Sequence, residues 1–239
     1  MASAESWVTK TLGRLLFREA EVTAVHALSS HFRRVELRGQ GLRGAGWSAG
    51  DKVQVYLPDT GMRTYTPLRW SESSGTTELL IYAHGDGPGS RWSQTLSAGD
   101  RFQFMGPRRS LALRMDEPLV FFGDETSFAV AHALQTSGRT GALRCTFEVS
   151  HRAESDDVLR ALGLPPEEHP CFERSPGDTH LLASCETLRR AIAARPGARL
   201  VLTGRAQSIQ RLRALLRGGD ARPPSTVKAY WSVGRKGLD

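Results

Sequence analysis

The run Arg63-Thr64-Tyr65-Thr66-Pro67 brings together side chains that chemistry could use as a group. The forked guanidinium of Arg63 can hold a pyrophosphate through paired, charge-assisted hydrogen bonds. The ring of Tyr65 can lie against a large, flat heterocycle. A threonine hydroxyl can reach that heterocycle's polar edge. A flavin dinucleotide offers all three features, with hydride arriving at its N5 edge. On that basis Thr66 and Tyr65 are the candidate residues at the reacting edge, and Arg63 and Thr64 are further cofactor contacts. The same five residues also suit an ordinary β-strand, since threonine and tyrosine favour strands, so the run by itself leaves both possibilities open.

Three further segments could meet a ligand. In His84-Gly85-Asp86-Gly87-Pro88-Gly89-Ser90-Arg91-Trp92, the glycines would let backbone approach phosphate. Ser90 would cap a short helix over 91–96, whose free N–H groups attract an anion. His84, Gly87, Gly89, Ser90 and Trp92 are the candidates; the alternative is a plain glycine-rich turn. In Gly123-Asp124-Glu125-Thr126-Ser127, a turn follows a continuous apolar run, the place where ligands bind in open α/β sheets. Asp124, Thr126 and Ser127 are candidates there. The acids would repel a pyrophosphate and suit ribose hydroxyls, or they simply match a helix dipole. Near the end, Tyr230 and Trp231 precede the basic tail Arg235-Lys236. Trp231 could cover a ring system, or the pair could close a buried last strand.

The elements around these residues fall into two halves. Segments 21–28, 32–37, 51–58, 78–83 and 100–107 alternate apolar and polar residues between glycine and proline turns, which predicts a small antiparallel barrel. From Asp116 the pattern changes. Leu119-Val120-Phe121-Phe122-Gly123 and Arg199-Leu200-Val201-Leu202 read as strands buried on both faces, separated by helical segments. That alternation predicts a parallel sheet with right-handed crossovers. A third strand is expected at 179–183 and a helix at 188–194, while the proline-rich stretch 167–178 has no assignment. The expected domains are an 18–115 barrel and a 116–239 α/β domain.

Composition narrows the partners. The chain has 239 residues, 39% hydrophobic and 24% charged, with a net charge of +7. The basic residues are scattered among acids, which argues against nucleic acid and for small anionic ligands. No apolar stretch approaches the roughly 20 residues that cross a bilayer, and no secretory leader is visible. A cytoplasmic protein without membrane insertion is expected. Cys145, Cys171 and Cys185 form no C-x-x-C pair and the histidines form no metal-like cluster, so buried reduced thiols and no metal site are expected.

In the order of its motifs the sequence resembles the siderophore-interacting protein family, the flavin-dependent ferric-siderophore reductases. The family's R-x-Y-T motif matches Arg63, Tyr65 and Thr66. Its H-G…G-P-A-S-x-W segment matches His84, Gly85, Gly87, Pro88, Ser90 and Trp92, with Gly89 in place of alanine. Its G-D-E-T-A segment matches Gly123 to Thr126, with Ser127 in place of alanine. Its Y-W-x-x-G end matches Tyr230, Trp231 and Gly234. The resemblance implies a ferredoxin-reductase-like fold, with an antiparallel FAD-binding barrel followed by a parallel-sheet NAD(P)H-binding-like domain. It implies non-covalent FAD, NAD(P)H or a ferredoxin as donor, and an anionic ferric chelate as acceptor. Lys52, Arg235 and Lys236 are the candidates for attracting that chelate. The departures lie in the second half: Leu202-Thr203-Gly204-Arg205 has a base where members carry an acid, and Arg205 would suit a 2′-phosphate. They motivate an alternative, an FAD-binding protein without siderophore reductase activity.

Overall fold

The computed structural model describes residues 17–58, 60–85, 87–218 and 222–234. The chain divides into two compact units, Met1–Ser110 and Leu111–Asp239. The first holds strands β1 (Arg18–Ala27), β2 (Phe32–Arg38), β3 (Lys52–Leu57), β4 (Gly61–Tyr65), β5 (Pro67–Ser71), β6 (Thr76–Tyr82) and β7 (Arg101–Arg108), with one helix, α1 (Pro88–Thr95). The strands form one antiparallel sheet in the order β4-β3-β7-β1-β2-β6-β5.

Alternation in the sequence places one face of each strand inside. Val53, Val55 and Leu57 of β3 are buried together with Leu79 and Ile81 of β6, Val22, Val35, Phe102 and Phe104. Strands β3 and β6 stand far apart in the sheet order yet share this core, so the sheet curls upon itself. Register shifts in β1, β3 and β5 supply local bends. Each fully buried Val, Leu or Phe contributes about 1.5–3 kcal/mol, which makes this core the main support of the unit.

The second unit holds β8 (Leu119–Gly123), α2 (Phe128–Thr136), β9 (Leu143–Val149), α3 (Arg152–Ala161), β10 (Cys171–Glu173), α4 (His180–Ala193), β11 (Arg199–Arg205), α5 (Ala206–Leu216) and β12 (Ser225–Trp231). The five strands are parallel in the order β10-β9-β8-β11-β12. Every residue of β8 is buried, as its unbroken apolar run requires. The order reverses between β8 and β11, so a crevice opens beyond their carboxyl ends, at Asp124 and Arg205.

Two expectations are corrected here. Residues 180–183 are the start of α4 rather than a strand, and Thr179 is its N-cap. The buried set His180, Leu181, Ser184, Cys185, Leu188 and Ile192 keeps helical spacing through the whole stretch, and a short apolar run alone cannot separate the two states. The strand expected there is instead Cys171–Glu173, inside the proline-rich segment, paired with Phe147–Val149. The helix after the glycine turn begins at Pro88 and is capped by Gly87, not by Ser90. Proline takes the first helical position because its missing N–H costs nothing there. No helix among the described residues is long and apolar enough to cross a membrane. The three cysteines are free and buried, and the described residues contain no group of histidine, cysteine and acids that could hold a metal.

Candidate functional site

The candidate residues of the first unit converge on the turn from β4 to β5 and on the start of α1. Pleating puts Arg63 and Tyr65 on one face of β4 and exposed Thr64 on the other, so the expected set splits and Thr64 points away. Arg63 Nη1 donates to the carbonyls of Thr60 (3.1 Å) and Met62 (2.7 Å), which tethers the guanidinium beside its own strand. Tyr65 packs its ring 5.8 Å from that of Trp92, and Trp92 meets Phe102 edge-on at 5.4 Å. The tyrosine is therefore braced through Trp92 onto the barrel core. Burial pushes the Tyr65 phenol well above its ordinary range, only partly opposed by Arg63, so it remains protonated.

Gly89 is where these groups meet. A Cβ there would lie 3.0 Å from the Tyr65 hydroxyl and 3.9 Å from Arg63 Cγ and Cδ. Arg63, Tyr65 and the N-terminal turn of α1 thus share one small region. Gly89 and Ser90 occupy positions whose N–H groups have no intrahelical acceptor, and these donors form the positive end of the helix dipole. A guanidinium next to free N–H donors and a braced aromatic ring fits the pyrophosphate and flat ring of FAD. The side chain of Ser90 has a different duty: its Oγ donates to the His84 carbonyl at 2.9 Å and holds the turn shut. His84 is exposed, with its ring stacked on Tyr82 at 5.5 Å. Gly87 is exposed at the cap. Thr66 is half-buried at the β4–β5 junction. Lys52 lies one residue beyond the Val53–Tyr65 pair, at the Thr66 end of the β3–β4 ladder, and has contacts of its own.

In the second unit the crevice is filled by the chain's own charges. Asp124 is fully buried. Its Oδ1 accepts from Thr126 N at 2.9 Å and from the Thr126 hydroxyl, and its Oδ2 accepts from Trp231 Nε1 at 2.7 Å. Gly204, at φ +94°, makes room for this carboxylate: a Cβ there would lie 2.5 Å from Asp124 Oδ2. Ser127 is buried and accepts from Thr203 Oγ1 at 2.8 Å. The hydrogen bonds of Asp124 and Ser127 are thus satisfied inside the unit rather than held out to a ligand.

Arg174, which sequence reasoning missed, is the centre of this network. It grips Glu125 with both terminal nitrogens, at 3.0 and 2.7 Å, and donates to Ser150 Oγ at 2.7 Å. It stands 3.8 Å from Asp124 and 3.7 Å from Glu148, and its Cζ lies 5.8 Å from the centre of a Trp231 ring. Glu148 in turn accepts from Ser208 Oγ at 2.6 Å and lies 2.9 Å from His180 Nε2. Arg205 donates to Ser208 Oγ at 2.6 Å and pairs with Asp178, so its charge already has a partner. Burial and the neighbouring Glu125 push the Asp124 carboxyl up to about 6, against the pull of Arg174. Burial would raise Glu125 too, but its hydrogen bond and charge contact with Arg174 win and hold it below its ordinary value. The one sequence signal for Arg174 was the excess of acid at 124–125, which demands a cation when buried; nothing local said which one. Arg235 and Lys236 lie outside the described residues.

Residues 58–111 match the family described as the siderophore-interacting FAD-binding domain. No curated protein matches the chain. Among solved structures, a siderophore utilization protein from T. fusca is 25% identical, with TM-score 0.69 over 93% of this chain and 95% of that one. The siderophore-interacting protein from Aeromonas hydrophila is 20% identical, with TM-score 0.71 over 92% and 93%. Phthalate dioxygenase reductase shares the fold at 15% identity, with TM-score 0.70 over 92% of this chain and 70% of that one. The antiparallel barrel and five-stranded parallel sheet make the fold ferredoxin-reductase-like, and residues 58–111 within it match an FAD-binding domain. Over residues 58–111 in sequence, and over nearly its whole length in fold, the chain is similar to siderophore-interacting proteins.

Proposed function

We propose that this chain is an FAD-dependent oxidoreductase that passes electrons from NAD(P)H to ferric siderophores or similar Fe³⁺ chelates, with release of Fe²⁺. The observation that carries the proposal is the meeting of Arg63, braced Tyr65 and the α1 N-terminus at Gly89, inside the segment that matches a siderophore-interacting FAD-binding domain. Arg63 and the N–H groups of Gly89 and Ser90 would hold the pyrophosphate. Tyr65 would lie against the ring system, with Trp92 fixing its tilt. Thr66 would hydrogen-bond the ring's polar edge, and Lys52 at the same end of the ladder would draw in an anionic chelate. Bound FAD supplies the conversion of a two-electron donor into one-electron steps. The product leaves because a hard-oxygen chelator holds Fe²⁺ much more weakly than Fe³⁺.

In the second unit, Asp124, Thr126, Ser127 and Trp231 act as positioning residues that shape the crevice. The Arg174 network favours one competing reading, an FAD-binding protein without siderophore reductase activity, because the place for a pyridine nucleotide already holds a paired cation. Anaerobic titration separates the two. The purified protein should show flavin absorbance that NADH or NADPH bleaches and a ferric chelate restores, with Fe²⁺ appearing in a ferrous-specific trap. Flavin that neither nicotinamide bleaches supports the competing reading, with a ferredoxin as the next donor to try. A protein that fails to bind added FAD sinks both.

A further inference from the structure

The parallel sheet of the second unit has a second end, opposite the Asp124 crevice, where its strands begin. There the turn after α2, the start of β9 and the end of α4 enclose a cleft of about 310 Å³. Arg139, Arg144 and Arg195 line it, together with Gln135 and Thr140. Few anions answer these three cations. Arg144 pairs with Glu168 at 2.6 Å. Among the described residues Arg195 donates to a backbone carbonyl, that of Ala191, at 3.2 Å. Arg139 is fixed by the carbonyls of Gly141, Arg114 and Glu117, at 3.3, 3.1 and 2.6 Å. Its remaining nitrogen, Nη1, is buried with no partner among the described residues.

The nearby carboxylates are committed elsewhere. Glu117 binds Arg199 at 2.9 and 3.0 Å, and Asp116 binds Arg114 at 2.8 Å. Burial pulls both the Arg139 and Arg195 guanidinium groups below their ordinary values, and Arg144 pulls Arg195 further. The C-termini of α2 and α4 lie at this end, each with about half a negative charge. Arg195 answers the α4 end through its bond to the Ala191 carbonyl, while Arg139 bonds carbonyls outside both helices. Arg144 and Arg195 line one cleft and repel one another, and an anion bound between them would relieve that repulsion.

We propose that this cleft is a second binding site, for a multiply charged phosphate anion of pyrophosphate or nucleotide-phosphate size. Planar guanidinium forks match phosphate oxygens in pairs, which selects phosphate over halide or monocarboxylate. The volume is at the lower end for small-molecule pockets, larger than one phosphate needs.

The FAD-loaded protein, titrated with pyrophosphate and with ATP and followed by calorimetry, tests the site. One saturable site tighter than about 1 mM is expected. Arg195→Gln and Arg144→Gln should each weaken it by about tenfold or more, the loss expected for a charge-assisted contact. Arg211→Gln, exposed on α5, should leave it unchanged. Thr140→Glu is a second route: the residue is exposed, and a carboxylate there would occupy the cleft, abolish binding and preserve the fold. Absence of saturable binding overturns the proposal, as does binding that Thr140→Glu and both arginine variants leave intact. Flavin absorbance in every variant keeps this outcome separate from failure of the FAD assignment.

Discussion

At the scale of single residues, Arg63 carries the sharpest expectation. Its guanidinium is already tethered by the carbonyls of Thr60 and Met62, so little side-chain freedom remains to be lost when a pyrophosphate arrives. Arg63→Ala should weaken FAD binding by about 1.5–3 kcal/mol, roughly ten- to 150-fold. Arg63→Lys should fall between, since it keeps the charge and loses the fork. Fluorescence titration of the apoprotein with FAD measures both, and an unchanged Kd for the alanine variant removes the arginine from the site. The i, i+2 spacing that puts Arg63 and Tyr65 on one face was legible in the sequence, because a strand's period is two. The work of Ser90 was not. Serine at the end of a glycine-rich turn reads as a cap, but Pro88 takes the first helical position, and the hydroxyl turns back to the His84 carbonyl instead.

At the scale of elements, the β8–α2 turn is built around a carboxylate that burial disfavours. The folded-state value for Asp124 is about 6, above its ordinary 3.8, so the folded protein binds this proton more tightly than the unfolded chain does. The stability Asp124 contributes is therefore fully present below pH 4 and is lost as pH rises through about 6. Glu125, held low by Arg174, has the opposite sign: its contribution is lost as pH falls below the ordinary glutamate range. Asp124→Asn isolates the first effect. Measured by urea unfolding, its stability relative to wild type should climb by up to about 3 kcal/mol between pH 4 and 6 and then level off. A flat difference across that window would show that Asp124 titrates as an ordinary carboxyl. The sequence showed the turn and its acids, because an apolar strand followed by Gly-Asp-Glu-Thr is a local pattern. It hid what balances them. Arg174 lies 49 residues from Glu125, behind a three-residue strand in a proline-rich stretch where periodicity has no length over which to show.

At the scale of the whole molecule, the two-unit architecture was legible because the hydrophobic period itself changes from alternating strands to continuous buried ones, and that change needs no long-range contact to see. Net charge is legible in the same way, and it makes a claim about rates rather than about fold. A chain at +7 carries a field that draws anions from beyond contact distance. That attraction reaches about 10 Å at 0.1 M salt and about 3 Å at 1 M. If the acceptor is an anionic ferric chelate, kcat/KM for a triply charged catecholate complex should fall by about tenfold or more as salt is raised over this range. A neutral ferric hydroxamate should change by less than about twofold, since steering acts only on charge. Stopped-flow reoxidation of the reduced flavin by each chelate gives both slopes on one enzyme sample. The same salt response for the two chelates would mean that the scattered arginines serve solubility and internal pairing, and that recognition of the chelate rests on contacts at the site alone.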